Sequence, residues 1–108
     1  MNNPCRNKKL TSAARGQECT LQIPGVCQGG TETTVACHSP LLEDRQGSKA
    51  PDFAIAFGCM ACHDVIDRRK NFVCLDGHGL MCDEDQRYYF HRGMTRTLAI
   101  LFDSGVIK

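Results

Sequence analysis

Alternation of side chains predicts a strand in the first half of the chain. Residues 31–38, TETTVACH, are rich in threonine and valine, which favour strands, and they follow a Gly-Gly turn signal. Successive side chains of a strand point to opposite faces, so His38 would share a face with Thr34 and Ala36. Cys37 is expected to point the other way. An irregular connection of about a dozen residues follows.

A helical pattern begins near the middle of the chain. The segment ACHDVIDRRK, residues 61–70, lacks glycine and proline, so a helix there would place His63 one turn before Asp67 on the same face. A histidine and a carboxylate at this spacing can hold a divalent ion and leave positions open for water and phosphate. The alternative is a pair on a solvated helix surface. The position directly after two cysteines favours the metal site.

A second helix is predicted over residues 83–104. Asp83 has the character of an N-cap, with Gln86 three residues later in a capping-box arrangement, and Gly105 suits the stop. Apolar residues recur between them at helical spacing, which predicts a buried stripe: Phe90, Met94, Leu98 and Leu101.

Length and composition limit the size of the core. A chain of 108 residues and 12.0 kDa fits one domain, and at this size it buries only a little over ~60% of its unfolded surface. Tryptophan is absent, so a large apolar pocket is not expected. The eight cysteines are the natural source of extra stabilisation.

Four of the cysteines form two pairs that suit a metal ion. Cys19 and Cys27 lie on either side of Pro24-Gly25, a type II turn signal that reverses the chain between the two thiols. Cys59 and Cys62 form a C-x-x-C pair farther along. Two such pairs supply the four ligands of a closed tetrahedral Zn²⁺ site.

Two other interpretations of these cysteines are open. The string CMACH, residues 59–63, matches a haem-attachment sequence, and paired cysteines also form disulfides. The N-terminus has no apolar segment behind its charges, and no window is apolar enough to span a membrane, so we expect a cytoplasmic protein without a membrane partner. Thiols stay reduced in the cytoplasm, which favours metal ligands over disulfides and over haem. The other cysteines are Cys5, Cys37, Cys74 and Cys82. We expect them to be small buried side chains, and a second metal pair formed by Cys74 and Cys82 is the alternative.

Basic residues are concentrated in three places although the net charge is only +1. One group precedes the first acidic residue, Glu18. The others are candidates for contact with a nucleic-acid backbone, with solvated surface charge as the alternative. These candidates are Arg68, Arg69 and Lys70, which follow Asp67, and Arg92 and Arg96, which lie one helical turn apart.

The combined pattern resembles the ββα-metal core of HNH endonucleases, and among them the zinc-containing branch that includes phage endonuclease VII. It is more similar still to the YbcO-like putative nuclease family of lambdoid phages and prophages. The segments that carry the resemblance are ARGQECTLQIPGVC, ETTVACHS, KAPDFA, CMACHDVIDRR and HRGMTRT, which together cover most of residues 13–97.

The resemblance implies a role for each site residue. His38 matches the general base of the family, and a neutral imidazole at neutral pH can take a proton from water. His63 matches the metal ligand after the second thiol pair, with Asp67 as its partner. The implied reaction is one-metal phosphodiester hydrolysis that leaves 5′-phosphate and 3′-hydroxyl ends, with Mg²⁺ or another divalent cation.

Two positions depart from the HNH pattern. Many HNH enzymes have an aspartate or histidine metal ligand directly before the general base, where this chain has Cys37. The middle residue of the motif, usually asparagine, has no clear match, and Asp52 and Asn71 are the candidates. Asp52 could equally cap a short helix or lie in the loop.

The sequence therefore predicts a single α+β domain over residues 1–108, with an HNH-like, His-Me finger core. It would comprise a basic N-terminal arm (1–15), a zinc knuckle and ββα-metal core (17–72) and a C-terminal helix (83–104). We expect a metal-dependent endonuclease that acts on DNA. The sequence does not distinguish branched, single-stranded and duplex DNA as the substrate, and it leaves a homodimer open. The alternative is a non-catalytic zinc-binding module that binds DNA or protein.

Overall fold

The structure is a computed structural model that describes residues 7–40, 52–70 and 79–107. Three helices and two strands follow one another along these residues. They are α1 (Lys8–Ser12), β1 (Val35–His38), β2 (Ile55–Gly58), α2 (Met60–Ile66) and α3 (Asp83–Asp103). The arrangement is a small α+β fold, as expected.

Strands β1 and β2 form an antiparallel pair in which Val35 faces Gly58 and His38 faces Ile55. The observed β1 is shorter than the predicted 31–38 strand, because residues 31–33 form a turn. Strand β2, whose residues IAFG are all buried, was not predicted separately. A strand buried on both faces lacks the polar alternation that makes a half-exposed strand recognisable.

The hairpin separates two hydrophobic clusters. Side chains alternate along each strand, so Cys37 and Ala56 lie in one cluster while Ile55 and Phe57 lie in the other. The cysteine-side cluster contains Cys19, Leu21, Ile23, Cys37, Ala56, Cys59, Cys62, Val65, Ile66, Met81 and Phe90. The α1-side cluster contains Leu10, Ala14, Ile55, Phe57 and Leu101.

Helix α3 reaches both clusters, with Phe90 in one and Leu101 in the other. The predicted capping box at its start was wrong. Cys82 is the N-cap and makes no side-chain capping bond, while Asp83 is the first helical residue. The side chain of Gln86 is buried and donates instead to the carbonyl of Ile66, which ties α3 to the end of α2. At the C-terminus Ser104 is the cap, followed by Gly105 with φ +85°.

Leu21 is wedged between two glycines. A β-carbon at Gly58 would lie 2.8 Å from Leu21 Cδ1, and one at Gly93 would lie 2.7 Å from Leu21 Cδ2. Both distances are too short for any side chain, so the leucine methyls occupy the space that the two glycines leave. The loop that carries Cys19 is thereby packed directly between β2 and α3.

The same loop is hydrogen-bonded to β2 and α3 through buried hydroxyls. The oxygens Oγ1 of Thr20 and Thr97 lie 2.9 Å apart, and both accept from the backbone N–H of Phe57 at 3.1 and 3.0 Å. Thr20 in turn donates its N–H to the Phe57 carbonyl at 2.7 Å. Buried backbone groups outside the hairpin ladder are thus paired.

The predicted N-terminal arm is partly helical. Within α1, Leu10 is buried in the α1-side cluster, and the side chain of Asn7 caps the helix by accepting from the N–H of Lys9. Residues 1–6 lie outside the described part of the chain. No helix in the described part is long and apolar enough to cross a membrane.

Candidate functional site

Four thiols converge beside the cysteine-side cluster. The sulfurs of Cys19, Cys27, Cys59 and Cys62 all lie within 4.8 Å of one another. Tetrahedral coordination with metal–sulfur bonds of about 2.3 Å separates ligand sulfurs by about 3.8 Å, so a small contraction would complete the geometry. The cluster can hold a metal ion, as the spacing of the two cysteine pairs predicted.

Local backbone structure aims these sulfurs. Gly25 has φ +74° in the predicted turn, and the N–H of Cys27 bonds to the carbonyl of Ile23 at 3.0 Å. Cys59 caps α2, and its sulfur accepts from the N–H of Cys62 at 3.5 Å. The sulfur of Cys19 likewise accepts from the N–H of Gln22 at 3.4 Å. Donors that point at sulfur stabilise thiolates, the form in which cysteine binds metals.

The pKa values of the thiols show the effect of this crowding. A hydrogen bond from the Cys62 thiol lowers the pKa of Cys19 to about 5, and the same bond, in which Cys62 keeps its proton, raises the pKa of Cys62. Burial raises the pKa of Cys27. Without an ion, the thiolate form of Cys19 is therefore favoured at neutral pH. Cys27 and Cys62 have to lose their protons when a metal binds.

His38, the last residue of β1, is paired with Asp52. Its Nε2 lies 2.8 Å from Asp52 Oδ1, and the second carboxylate oxygen of Asp52 accepts from the backbone N–H of Asn7 at 2.6 Å. The side chain of Asp52 is 8% exposed, while that of His38 is 22% exposed. The carboxylate is thus fixed from two sides, and part of the imidazole can meet a substrate.

His63 and Asp67 form a second pair on α2. Their Nε2 and Oδ2 atoms are 3.1 Å apart, at the predicted spacing of one turn, and each side chain is about a quarter exposed. A guanidinium nitrogen of Arg69 lies 3.4 Å from both of these atoms. The pair is therefore in contact with a cationic side chain.

The two pairs do not form one group of ligands. In the described part of the chain, the four thiols are the only group of three or more possible ligands close enough to share an ion, and His38, His63 and Asp67 do not form another. Cys37 lies between the pairs. Burial raises the pKa of its thiol, and the nearby Asp67 carboxylate raises it further, so Asp67 lies on the Cys37 side. His38 follows Cys37 directly and starts from the opposite face of β1.

Arg68 has a structural role at the end of α2. It has φ +63°, and the N–H groups of Arg68 and Arg69 bond to the carbonyls of Val65 and Asp64, which is the Schellman ending of a helix. The Arg68 side chain donates to the carbonyl of Met81 and pairs with Asp83, whose carboxyl pKa it lowers. It therefore connects the end of α2 to the start of α3.

Arg92 and Arg96 also contact the protein. Arg92 donates to the carbonyls of Leu21 and Gln22 at 2.7 and 3.0 Å and lies over two tyrosine rings. Arg96 donates to the carbonyl of Thr20 at 3.3 Å and to the Gln22 side chain at 3.0 Å. Both arginines fasten the cysteine-bearing loop to α3. Of the predicted nucleic-acid contacts, Arg69, Lys70 and Arg96 are exposed, and Arg96 is the one of these three that is bonded to the cysteine-bearing loop.

Asp52 is the site residue that sequence reasoning left undecided. The segment KAPDFA gave a signal for it, but nothing in the sequence distinguished a partner of His38 from a helix cap. The other candidate for that position, Asn71, lies outside the described residues, as do Cys5 and Cys74. Cys82 is described and stands apart from the four clustered thiols.

The fold and site define a small α+β protein with a four-thiol cluster able to hold a metal ion and two histidine–aspartate pairs. The family model described as "Putative nuclease YbcO" matches residues 8–106, so the chain belongs to that family. Two relatives, from Escherichia coli K12 and Enterobacteria phage 82, carry the same description; each is 44% identical over 100 residues, which cover 92% of this chain and 96% of the relative.

A solved structure shares the fold. It is described as a putative bacteriophage protein from Escherichia coli K-12 substrain MG1655, and it is 38% identical to this chain. The superposition has a TM-score of 0.68 and covers 88% of this chain and 98% of the other.

Proposed function

We propose that this protein is a metal-dependent endonuclease of the HNH type that hydrolyses phosphodiester bonds in DNA. The observation that carries the proposal is the His38–Asp52 pair: an accessible imidazole held by an almost buried carboxylate at 2.8 Å. A protein that only binds zinc and a partner has no need of such a pair. The family description supports an enzyme that acts on nucleic acid.

The pair suits general-base catalysis. With Nε2–H donating to Asp52, the lone pair of Nδ1 is free to accept a proton from an attacking water. The water oxygen bonds to phosphorus as the P–O3′ bond breaks, which gives a 5′-phosphate and a 3′-hydroxyl end. The Asp52 carboxylate stabilises the imidazolium that forms and holds the ring in the required tautomer.

His63 and Asp67 are the proposed holders of the catalytic divalent ion. Their two donor atoms fit such an ion, since they leave room for water and phosphate oxygens and already lie against the Arg69 guanidinium. When bound, the ion would stabilise negative charge on the phosphoryl and departing oxygens. Arg69 has to move aside to admit it. Asp67 lies near Cys37, the residue before His38 in β1.

Zn²⁺ is the proposed ion of the four-thiol cluster, because four thiolates without an open position are typical of structural zinc. Its role is to fix the loop from Cys19 to Cys27 against the start of α2. His63 directly follows the ligand Cys62, so the same ion would order one residue of the catalytic pair.

Plasmid nicking with added divalent ions tests the proposal by comparing the native protein with His38→Ala. Nicking should require the ion and fall at least ~100-fold in the variant, which is what a positioned general base contributes. Equal nicking by both proteins would show that His38 is not the base. Binding without any nicking would favour the alternative, a non-catalytic zinc module.

A further inference from the structure

A groove with both polar and apolar walls lies between α1 and β1, away from the four thiols. Its volume is about 420 Å³. The basic side chains of Lys8 and Arg15 and the hydroxyls of Thr11, Ser12 and Thr34 contribute to its lining, together with Ala36. None of the groups assigned to catalysis or to the metal cluster lines it.

Two cations in this groove have no partner within the described chain. Neither the Lys8 ammonium nor the Arg15 guanidinium forms an ion pair or hydrogen bond with any residue in 7–40, 52–70 or 79–107. This contrasts with Arg68, Arg92 and Arg96, whose side chains are tied to protein carbonyls. The positive charge of the groove is therefore available to a ligand.

Thr34 supplies a second, independent observation. It is 6% exposed, and its Oγ1 has no hydrogen-bond partner among the described residues. Buried hydroxyls are nearly always paired, so an unpaired one that lines a groove indicates a ligand oxygen that would complete it. A hydroxyl donor beside two unpaired cations is the chemistry that recognises phosphate.

The groove runs toward His38. Thr34, Ala36 and His38 follow one another at every second residue, which places them on the same face of the strand. Thr34 and His38 are four residues apart, or about 13 Å along an extended chain. On duplex DNA this distance corresponds to about four base-pair steps, at a rise of about 3.4 Å each along the helix axis.

We propose that the α1–β1 groove binds the phosphodiester backbone of one DNA strand and guides it to His38. The inference rests on the proposed nuclease function and adds a binding track to it. Lys8 and Arg15 neutralise two phosphates, and the enclosed Thr34 hydroxyl turns toward the groove to donate a hydrogen bond to one of the same oxygens.

Fluorescence anisotropy with a labelled single-stranded DNA oligonucleotide tests this, with no divalent ion added so that the strand stays uncut. The double variant Lys8→Gln/Arg15→Gln should bind at least ~10-fold more weakly, and the slope of log K against log salt should become shallower by about 1.4. The matched control Lys9→Gln/Arg87→Gln removes the same charge outside the groove and should have a clearly smaller effect. Equal weakening by both double variants would refute a specific track.

Thr34→Val separates ligand binding from folding. Valine keeps the shape and strand preference of threonine, so the melting temperature should stay the same or rise, while DNA binding weakens about 10-fold. Unchanged DNA binding by Thr34→Val would refute a contact between the Thr34 hydroxyl and the DNA strand.

His38→Ala distinguishes an error in the proposed DNA-binding groove from an error in the proposed catalytic assignment. This variant should bind the oligonucleotide as the native protein does and fail to nick. A protein that nicks through His38 but binds DNA equally well without Lys8 and Arg15 refutes the groove alone. One that binds through the groove but nicks equally well without His38 refutes the catalytic assignment alone.

Discussion

Cys37 and His38 are neighbours in β1, yet they serve different sides of the hairpin. Cys37 is buried in the cysteine-side cluster near Asp67, whereas His38 pairs with Asp52. Where the HNH pattern has a metal ligand before the base, this chain has a buried thiol whose pKa is raised by burial and by Asp67. Cys37 and His38 start from opposite faces of β1, so in the proposed mechanism the catalytic ion would be held by His63 and Asp67 of α2.

Replacing Asp52 by asparagine should impair catalysis without unfolding the protein. The amide oxygen can still accept from the N–H of Asn7, and the amide nitrogen then faces Nε2 of His38. An N–H donor there favours the tautomer in which Nδ1 carries the proton, so Nδ1 can no longer act as base. We expect nicking to fall at least ~10-fold with an unchanged melting temperature. Full activity of Asp52→Asn would limit Asp52 to a structural role.

Removing either side chain of the α2 pair should change the requirement for the divalent ion. For His63→Ala and Asp67→Asn we expect the ion concentration that gives half-maximal nicking to rise at least ~10-fold, since a direct ligand is lost. Asp64→Asn is the matched control, because Asp64 lies on the same helix and pairs with Arg69 and Lys70. An identical ion requirement in all four proteins would place the ion elsewhere.

Metal content should depend on pH through the four thiols. The pKa of Cys19 is lowered to about 5, so in the metal-free protein its thiolate persists at neutral pH and is lost as the pH falls through about 5. The raised pKa values of Cys27 and Cys62 mean that protons compete with the ion at neutral pH, and affinity should rise with pH.

Bound metal measured after gel filtration checks this expectation. The native protein should hold one ion at neutral pH and release it below pH about 5. Cys62→Ser should lose the ion at neutral pH, and Cys82→Ser, outside the cluster, should retain it. Retention of metal by Cys62→Ser would contradict the four-thiol site.

Arg92→Ala should lower stability more than it lowers DNA binding. Arg92 donates to two carbonyls of the cysteine-bearing loop, and charge-assisted bonds of this kind contribute about 1.5–3 kcal/mol. Urea unfolding at neutral pH measures the loss, with the exposed Arg87→Ala as the control on the same helix. If Arg92→Ala kept native stability but bound DNA much more weakly, Arg92 would be a nucleic-acid contact, as the sequence suggested.

Local patterns predicted the parts of this molecule that depend on short-range geometry. The cysteine pairs, the His63–Asp67 turn and the body of α3 follow from spacing along the chain. β2 was missed because it is buried on both faces, and the capping box was wrong because Gln86 finds a carbonyl of α2 instead.

Long-range contacts account for the remaining differences. Arg92 and Arg96 lie one helical turn apart, and the sequence suggested that both were available to bind a phosphate backbone. Both instead donate hydrogen bonds to carbonyls of a loop about seventy residues earlier in the chain. The pairing of Asp52 with His38 likewise joins residues 14 positions apart, beyond the reach of any local rule. Tertiary partners of this kind decide whether a charge is available to a ligand.

Cys62 and His63 are adjacent on one turn of α2, so the four-thiol cluster and the His63–Asp67 pair share a stretch of backbone. Under the proposed function, loss of the ion held by the four thiols would release the backbone that carries His63. Chelation of that ion would then lower nicking even where the catalytic cation is supplied in excess.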